Sequence, residues 1–475
     1  MKSLVTKTHS STQGLKVVRR WLMLSVGALI TAGLFSLGLI IGRMPPFSSW
    51  VTDPQFFKRC LVVHVDLALI VWFYSFIVGL FHLLPMPGRA RRVAGHSVGV
   101  SAVGVVLMVL SAGIEHAEPI LANYVPVVDH PLFLLGLVLF AVGVLAAILS
   151  GGLWSREDAH APVVELPEAV VPGLRAAGVV IVAAAATFFA GWLATPTSLE
   201  AGAYYELMFW GGGHVLQVAC EVAMVVVWIV LVGSLLGRSP VQRKTAAVLF
   251  GLLIAPHLFA PLLTLEGTQS ALYHVGSTRL MQFGIFPVVL VFLGILIHRL
   301  YTAVRSGELS KGIWRDPRFV GFATSAALTL CGFVLGAMIR GSNTMIPAHY
   351  HAAIGAVTVA FMTVALMLLE PLGFPLPSAR WKKAARFQPA LFGIGQVVFA
   401  VGFAVAGAHG MARKAYGSEQ QIRGLADWLG LATMGIGGLI AIAGGLLFLA
   451  LISAAVAPKV SAAFTRLKPN TTLAD

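Results

Sequence analysis

Long apolar runs separated by short polar or basic connections recur along the whole chain. Stretches of about 20 predominantly apolar residues, the length a helix needs to cross a bilayer, fall near 21–43, 59–85, 96–118, 131–154, 171–196, 206–237, 243–264, 277–300, 317–341, 345–370, 388–408 and 426–455. They predict twelve transmembrane helices joined by connections rich in Pro, Gly and charge, such as "PMPGRARR", "GRSPVQRK" and "PSARWKKAAR". None of these connections is polar enough to hold a separate soluble domain. The expected organisation is one all-α, polytopic membrane domain over 1–475, with an N-terminal tail at 1–20, a helical bundle over 21–455 and a C-terminal tail at 456–475. The first run follows basic residues but is too long for a signal-peptide core and lacks a convincing small-residue cleavage site, so it reads as a retained helix.

Composition sharpens this picture. With 58% hydrophobic and 11% charged residues, the surface of a soluble globule could not be solvated. The lipid bilayer is therefore the first expected partner. The net charge of +14 does not point to nucleic acid, because the Lys and Arg residues sit in short loops, where they set topology. Basic residues gather at the N-terminus, at Arg89/Arg91/Arg92, at Arg238/Arg243/Lys244, around Arg305–Arg318, around Arg380–Arg386 and in the C-terminal tail. Both termini are accordingly expected on the cytoplasmic side. Arg413, Lys414 and Arg423 break the trend by gathering in an external connection. Cys60, Cys220 and Cys331 are far apart and imply neither a disulfide framework nor a thiolate metal site.

The candidate chemistry lies in the histidines. His349-Tyr350-His351, inside "NTMIPAHYHAAIGAVTVAFM", puts two imidazoles at membrane depth, where a polar group carries a desolvation cost. Residues two apart on a helix point roughly 200° away from each other, so this pair suits two neighbouring metals better than one. On the expected topology His64, His214, His257, His349 and His351, from four helices, all fall in the outer half of the membrane. A single intramembrane histidine is as readily a packed helix contact as a ligand; the shared depth favours ligands. Two neutral imidazoles on opposite sides of a porphyrin give a six-coordinate, low-spin heme suited to electron transfer, and one imidazole leaves an iron position open. His64 with His351 would make the first arrangement and His349 the second. His214 with His257 would hold a further metal facing the open position.

At these residues the chain resembles subunit I of the heme-copper oxidase superfamily, which includes respiratory oxidases and nitric oxide reductases. The segments that carry the resemblance are "HVDLALIVWFYSFIVGLFHLLP", "FWGGGHVLQ", "NTMIPAHYHAAIG" and "GMARKAYGSEQQIRGLADWLGLATMG". The resemblance implies a low-spin heme on His64 and His351, a high-spin heme on His349, and copper or non-heme iron at a distal site with His214 and His257. It also implies that Arg413 and Lys414 bind heme propionates, which would account for basic residues in an external loop. A respiratory oxidoreductase of the bacterial cytoplasmic membrane is implied, with a small gaseous substrate, an electron-donor cytochrome, cupredoxin or quinol, and an accessory membrane subunit.

Two departures from the family pattern bear on the reaction. Pro256 stands where the family typically has a histidine beside His257, leaving the third nitrogen ligand missing unless His274 or another residue replaces it; a loop or interface role is the expectation for His274. Val218 stands where many oxygen-reducing members have a tyrosine, four residues after His214. Gln217 and Glu221 follow His214 on the same helix face and are candidates for a hydrogen bond, an oxygen ligand or a proton path. Glu206, Glu266, Glu115 and Asp66 are further candidate proton-handling groups. The expected activity is dioxygen reduction, with nitric oxide reduction as the alternative. A noncatalytic diheme protein for electron transfer, sensing or assembly is the alternative of another class.

Overall fold

The computed structural model describes residues 12–41, 53, 55–153, 164–413, 422 and 424–467. Among the described residues twelve helices are long and apolar enough to cross a membrane: α1 Gln13–Gly38, α2 Phe56–Phe81, α3 Gly88–Ser111, α4 Pro131–Leu149, α5 Val170–Ala194, α6 Ala201–Leu236, α7 Arg243–Thr264, α8 Ala271–Arg305, α9 Pro317–Met338, α10 Met345–Leu368, α11 Ala379–Ala408 and α12 Leu425–Lys459. The all-α membrane bundle expected from the apolar runs is the fold observed. The residues fall into two contact units, one within Thr6–Val230 and Arg238–Arg299, the other within Leu231–Gly237 and Leu300–Asp475. The first holds α1–α5, α7 and most of α6 and α8; the second holds α9–α12.

Several helices depart from regular geometry for identifiable reasons. In α2 a π-helical stretch, Leu67–Val71, follows Asp66, and such bulges change which side chains face inward. The last ten residues of α7, Ala255–Thr264, wind as a 3-10 helix; Pro256 and Pro261 remove two backbone donors there. Helix α8 begins earlier than the apolar run suggested and consists of Ala271–Gly284 and Phe286–Arg305. Its break precedes Pro287, whose ring disfavours helical geometry in the preceding turn.

Between α3 and α4 the chain forms a short antiparallel hairpin, β1 Glu118–Ile120 with β2 Val127–Asp129, in the register Glu118↔Asp129 and Ile120↔Val127. Helical periodicity gave no hint of it. Near this hairpin Arg59, at the start of α2, is fully buried. It donates to the carbonyls of Ala112 (3.1 Å) and Ala117 (3.3 Å) and pairs with Asp53. The guanidinium hydrogen bond to Asp53 holds that carboxyl below its ordinary range.

In the second unit small residues let backbones meet, as is common between membrane helices. A Cβ at Gly402 of α11 would lie 2.2 Å from the Met434 nitrogen of α12, and one at Gly407 would lie 2.4 Å from the Met345 nitrogen at the start of α10.

Candidate functional site

In the second unit His349 and His351 lie near the start of α10. The Nδ1 of His349 is 2.7 Å from the Gly332 carbonyl of α9. A carbonyl only accepts, so Nδ1 carries the proton and Nε2 keeps its lone pair. Gly336, one turn along α9, makes room for the ring: a Cβ there would lie 2.8 Å from Nδ1. His351 is held by rings, with Phe399 edge-on at 4.8 Å and Phe403 nearly parallel at 5.9 Å.

The loop that carries Arg413 is tied to the start of α10. Thr344 N–H donates to the Met411 carbonyl (2.9 Å), Asn343 bridges to Ala412, and Arg413 Nε donates to Ser342 Oγ (3.0 Å). Lys414, the other half of the expected propionate pair, lies outside the described residues.

In the first unit His64 of α2 has its Nδ1 2.7 Å from the Ala32 carbonyl of α1, so it too keeps Nε2 as its lone-pair nitrogen. A metal-bound imidazole typically donates its other N–H to a carbonyl or carboxylate, which fixes tautomer and ring plane. His64 and His349 have that arrangement across two helices, and both residues are only partly buried. They fit axial ligation of heme iron.

Helix α6 gives a different picture. Glu206, Trp210, His214, Gln217 and Glu221 recur at helical spacing along it. His214 is buried, its Nδ1 lies 2.7 Å from the Trp210 carbonyl, and its Nε2 lies 2.9 Å from the Tyr124 hydroxyl. In the neutral ring Nδ1–H donates to the carbonyl, so Tyr124 O–H donates to Nε2. Gln217 is exposed although it lies midway along a largely buried helix. One carboxylate oxygen of Glu221 is buried without a hydrogen-bond partner among the described residues.

The glycine triplet before His214 explains how these rings come so close. A Cβ at Gly211 would lie 2.7 Å from the Tyr273 ring of α8, one at Gly212 would lie 2.1 Å from the Phe188 ring of α5, and one at Gly213 would lie 2.3 Å from Tyr124 Cβ. Three successive glycines thus admit three aromatic residues from three other segments. Tyr124 comes from the hairpin connection, where Asn123 N–H donates to Glu206 (2.9 Å) and the Tyr205 hydroxyl donates to Asp129 (2.7 Å). Burial, with a smaller contribution from Glu206, pushes the Tyr124 phenol up, so it is a proton donor throughout the physiological range.

His257, in the 3-10 part of α7, has Nδ1 3.0 Å from the Leu253 carbonyl; its Nε2 is buried without a hydrogen-bond partner among the described residues. The ring lies against α8, where a Cβ at Gly284 would be 3.2 Å from Nε2. His274 lies in the first part of α8 and not in a loop, its ring centroid 5.3 Å from that of Trp210 at the contact with α6. With Trp210, Thr278, Arg279 and Gln282 it lines an open cavity of about 370 Å³. Among the described residues no three His, Cys, Asp or Glu side chains are gathered to hold a metal ion. Both His214 nitrogens are engaged, so of the expected pair His257 alone keeps a free imidazole nitrogen, and the two together do not fit a distal copper or iron.

The sequence alone points neither to Tyr124 nor to the contact of His274 with Trp210. The triplet "GGG" signals that something approaches α6 closely, yet nothing in the sequence says that Tyr124, 90 positions from His214, is part of it.

Comparison with known proteins agrees with this architecture. An uncharacterized protein of Rickettsia prowazekii is 25% identical over 516 aligned residues, covering 93% of this chain and 95% of its own. An uncharacterized protein of Aquifex aeolicus is 25% identical over 373, covering 78% and 89%. The model of the family described as cytochrome c and quinol oxidase polypeptide I matches residues 16–440. That match spans most of the chain, and the chain belongs to this family, the subunit I family of the heme-copper oxidases.

Proposed function

We propose that this membrane protein is a heme-containing respiratory oxidoreductase that reduces dioxygen, with His64 and His351 ligating a low-spin heme and His349 a high-spin heme. The observation that carries the reading is the shared setting of His64 and His349, each donating Nδ1–H to a carbonyl of a neighbouring helix at 2.7 Å and keeping Nε2 for a metal. When bound, such hemes supply one-electron transfer and an open iron position for a small gas. The chain's own part is to hold ring planes through Ala32, Gly332, Phe399 and Phe403. Arg413, fixed through Ser342 beside the start of α10, would bind a propionate together with Lys414. Gln217 and Glu221, following His214 on α6, would supply a hydrogen bond and a proton-holding carboxyl.

Nitric oxide reduction is the second reading. It is favoured by Val218, fully buried where many oxygen-reducing relatives carry a tyrosine, because this two-electron chemistry has no need of that phenol. Gas consumption by the purified protein with a reduced donor separates the readings. Dioxygen turnover well above nitric oxide turnover is expected; the reverse selects the second reading, and turnover of neither leaves a diheme protein for electron transfer, sensing or assembly.

A further inference from the structure

His214 has two ring nitrogens and the fold uses both. The Trp210 carbonyl fixes the proton on Nδ1, and the Tyr124 hydroxyl fills the Nε2 lone pair. A metal ion can bind an imidazole only through such a lone pair. The contact is built by several independent features. Gly213 leaves a space that a side chain would close, since its Cβ would fall 2.3 Å from Tyr124 Cβ. The Tyr124 ring packs at 4.5 Å on His214 and edge-on at 5.6 Å on Trp210. Asn123, the preceding residue, is bound to Glu206 through both its main-chain and side-chain nitrogens, and Tyr205 holds Asp129 at the far end of the hairpin. Of the imidazoles on α7 and α8, His257 lies beside Gly284 and His274 beside Trp210.

We infer that in this chain the hairpin between α3 and α4 acts as a latch whose Tyr124 occupies His214 Nε2, so that the first half of α6 carries a phenol–imidazole pair in place of a metal-ion site. Tyr124 is here a positioning residue. Its O–H fixes the ring of His214. The inference rests on the family reading that His214 is the counterpart of a distal ligand, and on neither heme.

The test compares heme-loaded wild type with Tyr124→Phe, which removes the hydroxyl and keeps the ring. Each is exposed to Cu(II), washed, and examined by metal analysis and electron paramagnetic resonance. Wild type should hold no copper that depends on His214. Tyr124→Phe should gain a nitrogen-ligated copper signal, lost again in the Tyr124→Phe/His214→Gln double variant. His214-dependent copper in wild type, or no difference between wild type and Tyr124→Phe, overturns the inference. Where Tyr124→Phe fails to assemble, Glu206→Gln loosens the latch without touching the pair, and ¹⁵N-histidine NMR reads the same contact. The Nε2 signal that His214→Gln removes should shift in Glu206→Gln, and an unmoved signal overturns the assignment. Heme content is recorded in parallel, so failure of the family reading shows itself as lost heme and failure of the latch as bound copper.

Discussion

His349 and His214 begin alike and end differently. Each lies on a long membrane helix and donates Nδ1–H to a carbonyl at 2.7 Å, and each depends on nearby glycine. At His349 the carbonyl belongs to a second helix, and Gly336 makes room for the ring while Nε2 keeps its lone pair. At His214 the carbonyl is four residues back on the same helix, and Gly213 admits a tyrosine that takes the second nitrogen. One histidine leaves its second nitrogen unengaged and the other has both nitrogens held. The comparison teaches that a histidine at membrane depth declares its role through the partner of its second nitrogen, which sequence position does not reveal.

The largest expected effect is on heme. His349→Ala should remove the high-spin heme, about half of the bound heme, while His214→Ala should leave heme content unchanged. Pyridine hemochrome assay of the two purified variants checks this, and equal losses would erase the contrast.

Added methyl groups probe the two glycines next. Gly336→Ala places a carbon 2.8 Å from His349 Nδ1, and Gly213→Ala one 2.3 Å from Tyr124 Cβ. Overpacking of this kind costs about 1–3 kcal/mol. Thermal unfolding should show both losses. Only Gly336→Ala should alter the high-spin spectrum, and only Gly213→Ala should reproduce the copper uptake expected of Tyr124→Phe. Gly341→Ala, with nothing near its Cβ, is the control.

A smaller effect is expected at Arg413. Replacing Arg413 and Lys414 by Gln removes positive charge beside a heme carboxylate, which eases oxidation of the iron, so a heme midpoint potential should fall. An unchanged redox titration with full heme loading would reject propionate binding.

The smallest concerns acid stability away from both histidines. The Asp53 carboxyl is depressed by Arg59, so its contribution is present above the ordinary carboxylate pKa of about 4 and is lost as pH falls through the lower folded value. Asp53→Asn should flatten the stability profile over that acidic window, measured by unfolding in detergent.

Much of the architecture was legible because bilayer thickness dictates run length: twelve apolar stretches gave twelve spans. The five embedded histidines stood out because hydrocarbon makes each one costly. What stayed hidden depends on contacts between distant segments. Pro256 and Pro261 were visible, yet their conversion of the end of α7 to 3-10 geometry, which turns His257 toward α8, needed the packing. The apolar run begins after His274, so run length does not place it in a helix, although Ser270 caps that helix by accepting from Tyr273 N–H (3.2 Å). Tyr124 belongs to a connection without periodicity, and only the fold brings it to His214.

The central claim is that His64 and His351 serve one six-coordinate heme and His349 another. Reduced-minus-oxidised optical spectra and heme content of wild type, His64→Ala, His351→Ala and His349→Ala test it most directly. The account predicts that His64→Ala and His351→Ala each abolish the same low-spin bands and spare the high-spin ones, with the opposite pattern in His349→Ala; unchanged spectra and full heme content in all three variants would contradict it.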